Sequence, residues 1–405
     1  MHVVILAEFA AASGGAEKVA VESARGLAEA GHAVTYLQGI DGPADALLDH
    51  PGITRVPLHN TDIWERPAHR AAFAGLWDAA AAARLGAALD GLSARPDLVH
   101  LHQWTRSLSP SLFPVLFARD LPVVVTLHDY FLACPNGVYY RFDTQGPCTL
   151  APLSAGCLAA PCDGRGRLHK LVRVGRTGIL RRTLSGRRLD VIHVSDASLD
   201  RMGGLLRHHD LIHHRIDNPV RVARVAPADP ARGDAVVYVG RLTREKGADL
   251  VAAAAARAGL PALFIGAGPL EAELAAMPGV EILGWRSPEA VWETVRVRAR
   301  ALVAPSRWYE TGPLTVYEAL AHGLPVIAST RAGSAEKIVD GVNGFAVAPE
   351  VEPLAEALRR LSDDATVRAL GRAASDRYWA APMTGAAHAA ALGAVYRRIR
   401  DEHAV

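Results

Sequence analysis

Two glutamates separated by seven residues lie in the segment PSRWYETGPLTVYEALAHGLPVIAST, residues 305–330. Glu310 ends a predicted loop, and Glu318 lies about one and a half turns into the helix that follows. Carboxylates accept hydrogen bonds from sugar hydroxyls, and the amides of a helix start attract anions. The spacing therefore predicts a diphosphate flanked by hydroxylated groups, with a solvated glutamate pair on a surface helix as the alternative. The helix is predicted to begin at Gly312 and Pro313, and its binding amides are those of Gly312, Leu314 and Thr315.

Short apolar runs, glycine loops and helical patterns alternate along the chain. The opening run HVVILAEF is followed by Gly14-Gly15 and then by apolar residues at helical spacing, and β-branched runs recur near residues 99 and 124. A proline-rich stretch at 218–234 interrupts this alternation, which then restarts. The sequence therefore predicts the α/β class, with two doubly wound domains and ligands at the carboxyl ends of their strands, in the cleft between them.

The composition excludes several classes of protein. The 405 residues suit two domains, and 44 Lys plus Arg against 42 Asp plus Glu give no reason to expect a nucleic-acid partner. The amino terminus lacks the basic region of a signal peptide. The best candidate for a membrane span, 250–270, is interrupted by Arg257, Gly259 and Pro261. We therefore expect a cytoplasmic protein.

The two glutamates and the run Gly-Leu-Pro-Val-Ile at 323–327 resemble the signature of the family 4 retaining glycosyltransferases of the GT-B fold, also described as glycosyl transferases group 1. The resemblance covers nearly the whole chain. It implies two Rossmann-like domains, an acceptor-binding domain at 1–217 and a nucleotide-sugar-binding domain at 218–380, that face each other across a cleft. Residues 381–405 would form a C-terminal helix that returns to the first domain.

The resemblance also implies roles for residues of the second domain. Glu310 would bind hydroxyls of the donor sugar, and Glu318 would bind the ribose of its nucleotide. The family has an Arg and a Lys five residues apart after the first strand of this domain, which here are Arg241 and Lys246. Two cations there would stabilise the diphosphate as it leaves. Trp285 falls where the family contacts the nucleobase. The alternative interpretation is that this tryptophan packs in the core or at its rim.

In the first domain the resemblance points to a loop and a histidine. The Gly14-Gly15 loop has no Cβ atoms to obstruct phosphate or acceptor, although a plain turn would need the same residues. His128, which ends the run VVVTLHDY, matches a histidine that reaches the donor sugar. A histidine that only fills a turn is the alternative.

The resemblance further implies the type of reaction. No Asp-x-Asp triplet occurs in the sequence, so we expect catalysis without a metal cofactor and with front-face retention, in which the leaving phosphate helps to deprotonate the acceptor. A UDP-sugar is the first expectation for the donor and a GDP-sugar the second. The expected acceptor is a sugar, a lipid-linked sugar or a small molecule in the biosynthesis of a cell-surface polysaccharide, a glycolipid or a natural product.

All four cysteines of the protein lie in a loop at 134–162 that follows His128 closely. In a cytosolic protein such clustering favours thiolate ligation of a metal over disulfides. A structural zinc site is the first expectation, an iron–sulfur cluster the second, and reduced free thiols the remaining alternative. The predicted ligands are Cys134, Cys148, Cys157 and Cys162.

Residues 165–188 carry nine basic side chains and no acidic one, with leucines among them. One interpretation is an amphipathic helix that holds the enzyme at an anionic membrane surface. A second is a docking face for a phosphorylated acceptor, and a third is an ordinary solvated helix face. Gly175, Gly178 and Gly186 argue against a long helix here.

Other functions are compatible with parts of the sequence. A nucleotide-sugar epimerase would share the fold. The segment IGAGPLEAEL could form a dinucleotide-binding loop of an NAD-dependent enzyme, but Leu270 or Glu271 stands where the third glycine is needed. A non-catalytic module that binds an anionic polymer or a membrane through residues 165–188 is the remaining alternative, and salt would weaken its binding strongly.

Overall fold

The computed structural model describes residues 1–12, 14–203 and 210–403. The chain divides into two compact units. Unit 1 comprises Met1–Asp143, Thr149–Pro219 and Met383–Val405, and unit 2 comprises Thr144–Cys148 and Val220–Pro382. No helix in the described part of the chain combines the length and the apolar character that a membrane span requires.

The strands and helices alternate along most of the chain. The strands are β1 (His2–Ala7), β2 (Ala33–Ile40), β3 (Ile53–Asn60), β4 (Leu98–Leu101), β5 (Val123–Leu127), β6 (Tyr140–Arg141), β7 (Gly146–Pro147), β8 (Leu189–His193), β9 (Leu211–Arg215), β10 (Ala235–Val239), β11 (Ala262–Ile265), β12 (Val280–Ile282), β13 (Ala299–Ala304), β14 (Val326–Ser329) and β15 (Gly344–Val347). The α-helices are α1 (Gly15–Glu29), α2 (Ala68–Leu76), α3 (Ala79–Asp90), α4 (Leu112–Phe117), α5 (Ala155–Ala159), α6 (Arg167–Leu184), α7 (Asp196–Gly203), α8 (Ala248–Ala258), α9 (Glu271–Ala275), α10 (Pro288–Arg298), α11 (Leu314–Ala321), α12 (Val351–Arg360), α13 (Asp364–Ala380) and α14 (Gly385–His403). Short 3₁₀ helices span Ala46–Leu48, Pro230–Arg232 and Gly333–Lys337.

Unit 1 is built on a parallel sheet with the strand order β3-β2-β1-β4-β5-β8-β9 among its described residues. In β1, Ile5 lies opposite Tyr36 of β2 and His100 of β4. Helices α1 and α14 pack together, and Tyr396 of α14 belongs to the same buried cluster as Ile5. The strand order reverses between β1 and β4, so ligands are expected at the carboxyl ends of these two strands.

Unit 2 repeats this architecture with the parallel order β12-β11-β10-β13-β14-β15 among its described residues. Its apolar strands are buried on both faces, as parallel strands usually are. Val251 of α8 and Leu358 of α12 belong to the core on one face, and Val316 of α11 and Ala374 of α13 to the core on the other. The strand order reverses between β10 and β13, which places the expected ligand site of this unit after these two strands.

Helix α6 corrects the expectation that glycines prevent a long helix in the basic segment. It runs for 18 residues and includes Gly175 and Gly178, while Gly186 follows its end with φ +64°. A Cβ atom on Gly175 would lie 3.0 Å from Cδ2 of Leu76, the last residue of α2. The glycine therefore allows two helices to approach closely, and this packing outweighs its low helix propensity.

The helix after Glu310 begins slightly later than predicted. Pro313 is its N-cap with an extended ψ of 118°, and Leu314 is the first helical residue. Leu314 and Thr315 thus supply amides of the first turn, which lack partners within the helix.

Candidate functional site

The switch point of unit 2 brings two chemically active loops together. One loop follows β10 and carries Arg241 and Lys246, and the other follows β13 and carries Ser306 and Glu310. Because β10 and β13 are parallel neighbours, both loops leave the same edge of the sheet. Side chains that are 64 residues apart in the sequence therefore meet.

Glu310 is held from both sides. Lys246 Nζ donates a hydrogen bond to Glu310 Oε1 and forms an ion pair with it, and Ser306 Oγ donates to Oε2. The Glu310 carbonyl accepts from the amide of Gly333 at 2.7 Å. The Lys246 ammonium also lies 5.2 Å from the centre of the Trp308 ring. This arrangement presents a fixed carboxylate beside a cation, the combination that a hydroxylated group carrying a phosphate would need.

An ion-pair network that the sequence did not reveal fastens the two loops. The two terminal guanidinium nitrogens of Arg307 donate to the Asp249 carboxylate, at 2.6 and 2.7 Å, and the Arg307 amide donates to the Glu245 carbonyl at 2.9 Å. Gly247 adds a close backbone approach, since its Cβ would lie 2.5 Å from the Pro305 carbonyl oxygen. No short motif links these residues. Only the basic and acidic character of Arg307 and Asp249 could have suggested the pair.

Arg241 differs from Lys246 because its side chain is 66% exposed. Its backbone is fixed by Tyr238, whose hydroxyl donates to the Arg241 carbonyl at 2.7 Å. The guanidinium lies 3.8 Å from Oε1 of Glu245, whose side chain is only 14% exposed. This distance exceeds that of a hydrogen bond, so the contact constrains the Arg241 side chain little. Arg241 is therefore anchored at its main chain with a side chain that can reorient toward an anion.

Glu318 lies on the buried part of α11. The residue is 6% exposed, and its charge adds to burial in raising the pKa of Tyr378 on α13 to about 12. Leu314 is buried and Thr315 partly buried at the start of the same helix, with Gly312 just before it. The second glutamate thus lies on a buried face of the helix rather than on a solvated one, which argues against the surface-helix alternative for Glu318.

Trp285 lies after the edge strand β12, and its side chain is 75% exposed. The preceding residue, Gly284, has φ +70°, and its carbonyl accepts from the amide of Gly266 at 2.9 Å. The turn thus directs the indole to solvent, so the alternative of a core tryptophan is excluded.

In unit 1 the glycine loop opens α1. Gly14 is the N-cap residue and Gly15 is the first helical residue. A Cβ on Gly14 would lie 2.5 Å from Glu17 Oε2, whereas a Cβ on Gly15 would meet no heavy atom within 4 Å. The space in front of Gly15 is therefore open to a ligand.

A buried carboxylic acid at the end of β1 escaped the sequence analysis. Burial raises the pKa of Glu8 to about 7, although the amide of Arg106 donates to its Oε1 and opposes this shift. The Arg106 guanidinium in turn pairs with Asp62. Glu8 was overlooked because a single acidic residue after an apolar strand has no distinguishing neighbour in the sequence.

His128 follows β5 and packs against a second histidine. Its Nε2 lies 3.0 Å from Nδ1 of His102, which follows the neighbouring strand β4, and the two rings stack with centres 5.2 Å apart. Burial, followed by the charge of His388, lowers the pKa of His128 to about 3. Burial raises the pKa of Asp129 to about 6 against the opposing effect of the Phe131 amide. The predicted histidine is therefore neutral at physiological pH, and its Nε2 is engaged by His102.

The structure does not support the predicted metal site. All four cysteines, Cys134, Cys148, Cys157 and Cys162, are buried and form no disulfide. Within the described ranges, no group of three or more His, Cys, Asp or Glu side chains is arranged to hold a metal ion. A cation of the protein itself occupies this region, because Lys170 Nζ lies 2.8 Å from Cys162 Sγ and 4.0 Å from Cys157 Sγ. The zinc and iron–sulfur expectations are therefore withdrawn.

Comparisons with known proteins identify the family. The model of "Glycosyltransferase Family 4" matches residues 13–152, and that of "Glycosyl transferases group 1" matches residues 233–364. The chain belongs to the family 4 glycosyltransferases of the GT-B fold, which confirms the resemblance and the fold class predicted from the motifs.

Two curated relatives illustrate the range of the family. The chain is 32% identical to the alpha-D-kanosaminyltransferase of Streptomyces kanamyceticus over 40% of its own length and 45% of the relative's. It is 29% identical to the D-inositol 3-phosphate glycosyltransferase of Mycobacterium avium over 76% of its own length and 70% of the relative's. The match thus spans less than half of the first of these relatives.

Solved structures match over almost the full length. Sucrose-phosphate synthase from Thermosynechococcus elongatus superposes with a TM-score of 0.71 at 20% identity, covering 99% of both chains. Anabaena HepE in complex with UDP gives a TM-score of 0.67 at 18% identity, covering 98% of this chain and all of that one. At these identities the likeness concerns the fold.

Proposed function

We propose that the protein transfers a sugar from a nucleotide-sugar to an acceptor with retention of the anomeric configuration. The observation that carries the proposal is the Lys246–Glu310–Ser306 arrangement at the switch point of unit 2, beside the start of α11. A fixed carboxylate, a neighbouring cation and helix amides are the groups that a sugar diphosphate requires. The family to which the chain belongs supports the same reaction.

In this proposal the residues of unit 2 bind the donor. Glu310 accepts hydrogen bonds from sugar hydroxyls, and Glu318 accepts from the ribose. Lys246 and the exposed side chain of Arg241 hold the diphosphate together with the amides of the helix start. Trp285 offers its exposed ring to the base. The further binding residues at the helix start are Gly312, Leu314 and Thr315.

The chemical step uses the leaving phosphate as the base. As the bond between the anomeric carbon and the phosphate oxygen breaks, the acceptor hydroxyl attacks the same face of the sugar and gives its proton to that phosphate. Arg241, Lys246 and the helix amides stabilise the negative charge on the nucleoside diphosphate. His128 and the Gly14-Gly15 loop of unit 1 contact the reacting sugar and the acceptor. Catalysis on this route needs no metal ion.

We propose UDP as the carrier nucleotide and GDP as the second choice. The support is that HepE, which shares the fold, was crystallised with UDP. The two relatives are named for an aminosugar transfer and for an inositol phosphate acceptor. The second name supports a small-molecule acceptor. We propose a small molecule, a sugar or a lipid-linked sugar as the acceptor, in the biosynthesis of a natural product, a glycolipid or a cell-surface polysaccharide.

We also propose that the protein works on the cytoplasmic side of a membrane, which it contacts through residues 165–188. Leu168 and Leu171 near the start of α6 are 81% and 63% exposed. Lys170 and Arg176 of the segment are buried, and its exposed cations are Arg165, Arg167, Arg182, Arg187 and Arg188. The Arg165 guanidinium stacks 3.6 Å above the Trp64 ring, which is itself 41% exposed. Exposed apolar side chains among cations fit an anionic phospholipid surface.

Ligand-induced thermal stabilisation tests the donor proposal. At a hundred times its dissociation constant a ligand stabilises the fold by about 2.7 kcal/mol. We expect UDP and one UDP-sugar to raise the melting temperature by a few degrees and NAD to leave it unchanged. NMR of the product formed with that sugar should then show the anomeric configuration of the donor. A shift with NAD alone, or product of inverted configuration, would contradict the proposal.

Vesicle sedimentation tests the membrane contact separately. Vesicles that contain phosphatidylglycerol should pellet the protein, whereas phosphatidylcholine vesicles should not. A Leu168→Ser/Leu171→Ser variant should lose this binding, and a Val297→Ser variant, altered at another exposed apolar residue, should keep it. Equal binding of both variants would overturn the assignment of the surface.

A further inference from the structure

Lys170 is a buried cation that the proposed transfer reaction does not use. It lies on α6, is 3% exposed and donates to Cys162 Sγ at 2.8 Å, with Cys157 Sγ at 4.0 Å. Lysines are rarely buried without a partner. Burial lowers the pKa of Lys170, but the hydrogen bond to Cys162 and the neighbouring thiols outweigh this effect, so its pKa lies above the ordinary value. The partner of this ammonium is therefore sulfur rather than a carboxylate.

The Cys162 sulfur is held in position from a second side. Asn136 Nδ2 lies 3.6 Å from Cys162 Sγ and 3.2 Å from its carbonyl oxygen. The same amide group accepts from the Cys134 thiol, at 3.0 Å to its Oδ1. Cys162 is itself buried, with 4% of its surface exposed. Asn136 thus fixes the Cys162 sulfur, and the Lys170 nitrogen lies at hydrogen-bonding distance from it.

We propose that Lys170 and Cys162 form an oxidation-sensitive pair that closes into a covalent sulfur–nitrogen cross-link. A peroxide is the oxidant. With hydrogen peroxide, one hydroxyl group is transferred to the Cys162 sulfur as the O–O bond breaks, and the other hydroxyl takes the thiol proton and leaves as water, which yields a sulfenic acid. Sulfur loses two electrons in this step, and the peroxide gains them.

Lys170 completes the reaction because its nitrogen lies 2.8 Å from that sulfur. The ammonium first releases one proton to solvent, which gives the free amine. The amine nitrogen then forms the bond to sulfur while the S–O bond breaks, and the hydroxyl leaves as water with a second proton from the nitrogen. Sulfenic acids condense with a backbone nitrogen to form a sulfenamide, and the lysine amine would form the corresponding bond here. Two molecules of a thiol reductant reverse the cross-link and become a disulfide.

The cross-link would join α6 covalently to the segment that follows α5. This segment belongs to the cysteine-containing loop that begins shortly after His128. The modification is independent of glycosyl transfer, so its test stands whether or not the proposed function is correct.

Peptide mass spectrometry on the full chain provides the test. The protein is treated with hydrogen peroxide, its remaining thiols are blocked under denaturing conditions, and it is digested with trypsin. We expect the chain to lose two hydrogen atoms, the peptides of Cys162 and Lys170 to be linked, and cleavage after Lys170 to disappear. Dithiothreitol should reverse all of these changes.

Three variants define the pair. Cys157→Ser should still form the cross-link, and Cys162→Ser should not. Lys170→Arg retains the positive charge but lacks the amine, so the sulfenic acid should persist there and react with dimedone. The wild-type digest alone decides the proposal if a variant does not fold.

Four results would overturn it. A disulfide between Cys157 and Cys162 would leave cleavage after Lys170 intact. Sulfinic or sulfonic acid on Cys162 without a linked peptide would show that the amine does not react. A linked pair that retains an oxygen atom would exclude the direct bond, and one tightly bound metal ion per chain would show that the thiols are ligands.

Discussion

The ammonium of Lys246 and the carboxylate of Glu310 form an ion pair across two loops of unit 2, and Ser306 donates to the second carboxylate oxygen. Both partners are largely buried, with 20% and 12% of their side chains exposed, which strengthens the interaction relative to a surface pair. The pair orients a sugar-binding carboxylate and keeps a cation beside it.

Glu310→Gln and Lys246→Ala should each abolish most of the transferase activity. The amide of glutamine keeps the size of the side chain but offers one acceptor instead of two, and alanine removes the charge that stabilises the leaving diphosphate. We expect a loss of about 100- to 1,000-fold in kcat/KM, measured as UDP release. Glu271→Gln, at an exposed position on α9, is the matched control and should keep full activity. Substantial turnover in both site variants would contradict the assignment of Glu310 and Lys246 to the donor site.

Ser306→Ala tests whether Glu310 must be held from the second side. The hydroxyl bonds the carboxylate but is not expected to touch the donor, so its loss costs about 1 kcal/mol of interaction energy. We expect kcat/KM to fall by roughly fivefold, well short of the loss in Glu310→Gln. In the double variant with Glu310→Gln, Ser306→Ala should not lower kcat/KM further, because the hydrogen bond from Ser306 to the Glu310 carboxylate is already altered. Additive losses would show an independent role for Ser306.

Gly247→Ala should destabilise the protein because two loops approach closely at this residue. Gly247 has φ +78°, and its Cβ would lie 2.5 Å from the Pro305 carbonyl oxygen. Gly259 provides a matched control, since it has φ +69° but open space around its Cβ. Gly259→Ala should cost about 1 kcal/mol from backbone strain alone, and Gly247→Ala should cost more. Equal unfolding midpoints in urea would show that the contact is not required.

Glu8 should make the stability of unit 1 depend on pH. Its pKa is about 7 in the folded state against an ordinary 4.5, so the folded state binds the proton more tightly than the unfolded state. The stabilisation is complete below pH 4.5 and is lost as the pH rises through 7. Glu8→Gln should therefore gain stability relative to the wild type between pH 5 and pH 8 in urea titrations. A constant difference between the two proteins across this range would contradict the raised pKa.

Local patterns in the sequence were sufficient for the fold class. Glycines after apolar runs marked strand ends, and the two glutamates with the Gly-x-Pro-Val-Ile run pointed to the family that the comparisons confirm. These features are readable because the period of a helix or strand and the position of a turn depend on neighbouring residues. The same reasoning failed for Gly175, where helix packing outweighed propensity.

The site required contacts between distant parts of the chain. Arg307 and Asp249 fasten the two loops from positions 58 residues apart, and no spacing rule predicts such a pair. For the cysteines the sequence predicted a site that the structure does not support. Their clustering suggested a metal centre, while the structure places Lys170 against two of them.

The sequence by itself determined the alternation of strands and helices, the division into two α/β halves and the residue types that could bind a sugar diphosphate. The tertiary structure alone decided that Lys246 pairs with Glu310, that His128 meets His102 and that the thiols face an ammonium. The physical reason is that periodicity and turn chemistry act over a few residues. Burial and pairing depend on which strands become neighbours in the sheet.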